Sequence, residues 1–163
     1  MKNDDLENVF SRYYHEVYLY AFFLCKNQSL AEDLVSETFF KAFISLDNVD
    51  DRIKFWLLRV CKNIWIDLVR RRKKLSDTMI SEEMFVSDEV IINQIVQDEK
   101  KKTILKTVFS LPNSYKEAIL LYYYLDLSLH EVAEALGISD GAARALLYRA
   151  RKKMKTILRE EDL

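Results

Sequence analysis

Two glycines and one proline are all that punctuate 163 residues. A sheet protein turns often and needs both residues at its turns, so their scarcity argues against strands and for long helices. Cysteine is equally sparse, at two. Cys25 and Cys61 stand in apolar sequence with no Cys or His at metal-ligand spacing, and read as small buried hydrophobes in a reducing compartment. The two histidines, His15 and His130, lie far apart. With no Gly-rich phosphate loop either, an enzyme is the least supported class, and neither cofactor nor small-molecule substrate is expected. No apolar run reaches membrane-spanning length; Ala118–Leu125 stops after eight residues at Asp126. The opening MKNDDLENVF is acidic and polar, unlike a signal peptide, so a soluble cytoplasmic protein is expected.

What the chain does have is apolar bulk and charge in blocks. Half of its residues are hydrophobic, enough for one domain or two small ones. The formal net charge of −1 hides the blocks. Arg59–Lys74 holds seven bases and one acid, and Arg144–Arg159 seven bases and no acid. Leu75–Glu99 holds seven acids and no base. Two cationic patches separated by acidic sequence can dominate the local field whatever the sum.

Helical periodicity recurs along most of the chain. Leu6, Val9, Phe10, Tyr13, Val17, Tyr20, Ala21 and Leu24 mark a first amphipathic helix. Ser29, followed three residues later by Glu32, suits the cap of a second, whose stripe is Leu34, Thr38, Ala42 and Leu46 with Val35, Phe39 and Phe43. Asp47–Asp51 reads as a loop and Ile53–Lys74 as a third helix. Its apolar face includes Phe55, Trp56, Leu57, Cys61, Ile64 and Trp65, and it ends in RRRKK. Three such helices can close a small bundle. Leu75–Asp98 suits a linker containing a short helix. Helices then succeed one another over Glu99–Phe109, over Asn113–Leu125 behind Pro112, over Ser128–Leu136 and over Asp140–Leu158.

The last two form the most informative stretch, SLHEVAEALGISDGAARALLYRARKK. Ala133 is small where two helices would cross, Gly137 tolerates the positive φ of a tight reversal, and Ser139 or Asp140 can cap the second helix. Ala143, Leu146 and Leu147 face inward, leaving Arg144, Tyr148, Arg149, Arg151 and Lys152 outside. This is the pattern of a helix-turn-helix with a basic reading helix; an αα-hairpin that merely packs is the alternative.

AEDLVSETFFKAF followed by IKFWLLRVCKNIWIDLVRRRKK resembles region 2 of the sigma-70 superfamily, and LPNSYKEAILLYYYLDLSLHEVAEALGISDGAARALLYRARKKM resembles its region 4. Both, in this order with a short connection, resemble an extracytoplasmic-function sigma factor. The resemblance implies an all-α chain of two small helical domains: an N-terminal bundle over 1–75, an acidic linker over 76–98 and a C-terminal helix-turn-helix domain over 99–163. It implies core RNA polymerase and promoter DNA as partners, with an anti-sigma factor, often membrane-anchored, as inhibitor. Asp33 and Glu37 fall on the helix used for the polymerase contact. Asn48, Asp50, Asp51 and Lys54 fall on or beside the loop that accepts an unpaired minus-10 base. Asn63 and Asp67 repeat an Asn-x-x-x-Asp pattern beside it, and Trp56 either stacks on a base or belongs to the core. Arg70, Arg71, Arg72, Lys73 and Lys74 suit duplex phosphates. For the minus-35 duplex, Arg144 takes a base-edge or phosphate role, with Arg149, Arg151 and Lys152 on the backbone. Ser128, Ser139 and Gly141 offer short donors or close approach, and Tyr148 packs or reaches the backbone. Ala145 stands where the family pattern has a serine, which removes a donor and puts more weight on Arg144.

Two rivals remain at this level. A homodimeric helix-turn-helix activator needs only the C-terminal half. A sigma-like adaptor that sequesters a protein partner binds stably without promoter-specific transcription.

Overall fold

The computed structural model describes residues 3–47, 49–74 and 87–161. The chain divides into two compact units, Met1–Ser87 and Asp88–Leu163, and the described elements are helical.

In the first unit, α1 (Asn3–Cys25), α2 (Gln28–Ser45) and α3 (Ile53–Lys74) all pack on one another as a three-helix bundle. Its centre is made by Val17, Tyr20, Ala21 and Phe22 of α1, Leu34 and Val35 of α2, and Leu57, Leu58 and Cys61 of α3, all buried. The α1–α2 turn departs from the sequence expectation. Ser29 does not cap α2; Asn27 does, accepting a hydrogen bond from the Leu30 N–H at 2.9 Å. Lys26 takes φ 53° to end α1, and the Cys25 thiol donates to the Asn27 carbonyl at 3.3 Å. Asn27 is thereby placed in extended backbone with its amide oxygen over the first turn of α2.

Phe43 also departs from expectation. Phe39 is buried, but Phe43 is 38% exposed and Phe40 61%. Cys61 lies fully buried beside Thr38, whose hydroxyl also donates to the Leu34 carbonyl at 2.6 Å. Burial pushes the Cys61 thiol up to about 12 from its ordinary 9.0, against a hydrogen bond with Thr38 that lowers it. Burial likewise raises Cys25, partly offset by backbone hydrogen bonds. The thiols of the native protein are therefore expected to resist a thiol-specific reagent at about pH 8 and to label once denatured. Rapid labelling without denaturant would contradict a closed bundle. Because the unfolded thiol ionises first, the Cys61 contribution to stability is complete below its ordinary value of 9.0 and falls as pH rises towards about 12.

The second unit collects α4 (Asp88–Ile95), α5 (Glu99–Phe109), α6 (Asn113–Ile119), α7 (Leu129–Leu136) and α8 (Asp140–Glu161), with α5, α6 and α7 all on α8. It starts at Asp88, within the stretch that the charge pattern assigns to a linker, since α4 packs on α5 and buries Ile92. Pro112 precedes α6 as expected, but the helix changes type after Ile119. Leu120–Tyr124 is a π-helical turn, closed by Leu125 N–H to Leu120 C=O at 3.0 Å. Leu120, Leu121 and Leu125 are buried there, while Tyr123 is 47% exposed.

Candidate nucleic-acid interface

Local hydrogen bonds fix the start of α7 and the turn that leads from it into α8. Ser128 accepts from the Glu131 N–H at 3.1 Å while the Glu131 carboxylate accepts from the Ser128 N–H at 3.1 Å, a reciprocal cap. Gly137 ends α7 at φ 70°, ψ 34°. Ile138 N–H then reaches Ala133 C=O at 3.0 Å and Gly137 N–H reaches Glu134 C=O at 3.2 Å, the paired bonds of a Schellman motif. Ser139 rather than Asp140 caps α8, accepting from the Ala142 N–H at 3.1 Å. Asp140 instead meets His130 Nδ1 at 3.0 Å, while His130 Nε2 meets Glu134 at 3.0 Å, tying α7 to the start of α8. Replacing Ser128 by alanine should cost about 1 kcal/mol of unfolding free energy in a urea titration. No change would mean that the cap is solvated as well without its hydroxyl.

With the turn set, α8 presents two faces. Ala143, Leu146, Leu147 and Ala150 are buried. Arg144, Ala145, Tyr148, Arg149, Arg151 and Lys152 are exposed, and Tyr148, at 61%, is not packed against the supporting helices as one sequence expectation has it. Gly141 has open space where a Cβ would stand, so packing does not require a glycine there. Arg151 donates from Nη1 to the Tyr123 hydroxyl at 2.8 Å.

In the first unit, Asp50 of the loop before α3 lines two cavities. One, of about 240 Å³, is lined by Leu46, Asp50, Arg52, Phe55, Trp56 and Arg59 among others. Asp50 accepts from the Arg52 N–H at 2.9 Å, and the Arg52 guanidinium stands 4.8 Å from the Phe55 ring centre. Trp56 is half-buried and lines this cavity. The other cavity, about 400 Å³, is lined by Asp50 and Asp51 with Asp5, Asn8, Arg12 and Tyr13 of α1. Asn48 lies outside the described residues. Lys54 is not presented to the loop as a bare cation, because its ammonium stands 3.4 Å from Glu16 of α1.

Asn63 and Asp67 are exposed, one turn apart on α3. Asp67 shares a cavity of about 230 Å³ with Asp33, Glu37 and Lys41 of α2 and with Arg71 and Arg72. The RRRKK run is thus divided: Arg71 and Arg72 line the α2 groove, whereas Arg70, Lys73 and Lys74 are exposed and do not line it. Along α2, Asp33, Glu37, Phe40 and Ile44 follow at helical spacing and all are exposed, Ile44 by 63%. Sequence reasoning missed Phe40, Ile44 and Arg52. Spacing of three from Glu37 would have found Phe40, and Arg52 stands directly before the first residue of α3.

Among the described residues no helix is long and apolar enough to cross a membrane, and no cluster of three His, Cys, Asp or Glu can hold a metal ion.

The chain matches the family model of Sigma-70 region 2 over residues 9–75 and that of Sigma-70, region 4 over residues 102–154. It is 32% identical over 155 residues to the ECF RNA polymerase sigma factor SigM of Bacillus subtilis (strain 168), covering 93% of this chain and 94% of that one. It is 34% identical over 153 residues to the RNA polymerase sigma factor SigV of the same organism, covering 91% and 87%. Two solved chains share the fold. The sigma factor RpoE, from its complex with the anti-sigma factor NepR of Bartonella quintana, gives a TM-score of 0.70 at 22% identity, covering 95% of this chain and 97% of its own. CnrH, in complex with the cytosolic domain of CnrY, gives 0.64 at 23%, covering 98% and 90%. A helical bundle joined to a helix-turn-helix unit, each matching its own region model, defines a sigma-70 type transcription initiation factor. Within that superfamily the chain belongs to the extracytoplasmic-function sigma factors. Such a factor directs RNA polymerase, and the chemistry of RNA synthesis is the polymerase's.

Proposed function

We propose that this chain directs core polymerase to promoters through two separate readings of DNA. The second unit lays α8 in the major groove of the minus-35 element. Arg144 reaches base edges there, and Arg149, Arg151 and Lys152 hold phosphates. Ser128 and Ser139 keep their hydroxyl hydrogens available for phosphate oxygens, and Gly141 lets the backbone come close. The first unit captures an unpaired minus-10 base in the cavity beside Asp50 and Trp56, with Asp51 on the same loop and Asn63 and Asp67 exposed further along α3, where they meet neighbouring bases of the opened strand. Arg70, Lys73 and Lys74 hold the duplex above the melted segment. Melting costs stacking energy, which base capture and phosphate contacts must offset.

The polymerase face is the α2 stripe, where Asp33 and Glu37 are joined by Phe40 and Ile44. Exposed apolar side chains beside paired acids suit a basic, partly apolar helical partner. An anti-sigma factor is a further partner, in keeping with the fold shared with RpoE, solved in complex with the anti-sigma factor NepR. The chain acts in the cytoplasm, where the polymerase is.

One observation carries this reading: the exposed basic face of α8 stands on a helix-turn-helix closed by a cap and a Schellman turn. Arg144→Ala is expected to relax minus-35 preference, lowering discrimination by about ten- to a hundredfold. Unchanged discrimination among minus-35 variants in a competition assay would remove Arg144 from the reading.

A further inference from the structure

Tyr123 has no part in the core and none in the proposed DNA and polymerase contacts. It stands on the π-helical turn, 47% exposed. A phenol left half in water beside a basic reading helix calls for a reason, and its partner supplies one. Arg151, which comes 28 residues later, donates an Nη1–H to the Tyr123 oxygen at 2.8 Å. Among the described residues this neutral oxygen is the polar partner of Arg151, so the guanidinium is oriented without its charge being cancelled. Four of its five N–H donors remain for a ligand, and the phenol, having accepted one hydrogen bond, still has its own O–H to donate. Arg151 also continues the exposed line of Arg144 and Tyr148 along α8.

We infer that Tyr123 and Arg151 form one phosphate-binding unit beside the reading helix, in which the phenol fixes the guanidinium fork and donates its own hydroxyl to the same phosphate. The assignment rests on α8 meeting duplex DNA. Tyr123 is a positioning residue as well as a contact, and the π-helical turn sets its direction. A carboxylate at this position would hold Arg151 as firmly, but it would neutralise the charge that a phosphate needs.

The test is equilibrium binding of the full chain, assembled with core polymerase, to a duplex carrying the minus-35 element over a range of salt. Tyr123→Phe should weaken binding about three- to tenfold, the size of one hydrogen bond. Arg151→Ala should weaken it about ten- to a hundredfold and lower the salt slope by about one. Adding Tyr123→Phe to Arg151→Ala should cost clearly less than Tyr123→Phe costs alone, since only the direct hydroxyl contact is then left to lose, and Tyr123→Glu should lose at least as much as Arg151→Ala. A role confined to packing would instead move the melting temperature and leave the salt slope untouched. Wild-type affinity for Tyr123→Phe, or an equal loss in both backgrounds, overturns the inference. Arg144→Ala separates the two failures. If it weakens binding while Tyr123→Phe does not, the phosphate unit alone falls. If neither does, the groove assignment falls with it.

Discussion

Replacing Arg70, Lys73 and Lys74 together by glutamate is expected to lower promoter binding by about a hundredfold or more at moderate salt, and to do so at every promoter alike. These three cations are exposed towards the end of α3, whose negative dipole end holds them without cancelling them. Each phosphate that goes without its cation should take about 0.9 from the slope of log affinity against log salt, so the triple change should lower it by nearly three. Uniformity is the discriminating part, because phosphate contacts position a protein without reading sequence. A loss confined to some promoters would show that the patch touches base edges. Reversing Arg71 and Arg72 instead should act on polymerase binding, since those two line the cavity that holds Asp33 and Glu37.

The second large effect is expected along the exposed stripe of α2. Glu37→Lys combined with Phe40→Ala should weaken the complex with core polymerase by about a hundred- to a thousandfold. Phe40 is 61% exposed and Ile44 63%, so neither is needed for the core. Helical spacing puts both in line with Asp33 and Glu37. An aromatic left outside the core is unfavourable in a lone domain and favourable at an interface. Melting temperature should hardly change while co-elution with core polymerase disappears. The triple glutamate variant should show the converse, normal assembly with poor promoter binding. Should Glu37→Lys and Phe40→Ala together leave assembly intact, the α2 stripe is not the docking face.

Local signals make much of this architecture legible in the sequence. Periodicity places α3 at Ile53–Lys74 and α5 at Glu99–Phe109, the bounds observed. The α7–α8 turn is equally readable, since a glycine at positive φ and the serine that caps α8 act within a few residues of each other. The features that escape depend on distance or degeneracy. Asn27 and Ser29 are both good capping residues, and the choice between them depends on how α1 ends at Lys26. The run LLYYY is uniformly bulky, so no period in it betrays one extra residue in a turn. Phe43 shares a stripe with Phe39, but it lies on the groove near the start of α1 where Phe10 is itself 43% exposed. Lys54 reads as a free cation by its neighbours in sequence, and only the bundle brings Glu16 to within 3.4 Å. The division of RRRKK between a groove and open solvent likewise follows from where α2 lies.

Run-off transcription with purified core polymerase on a library of promoter fragments tests the central claim most directly. The chain is predicted to confer initiation from a defined set of start sites sharing a minus-35 and a minus-10 element, none of which core polymerase uses alone. A stable complex with core polymerase that initiates nowhere on the library would contradict it.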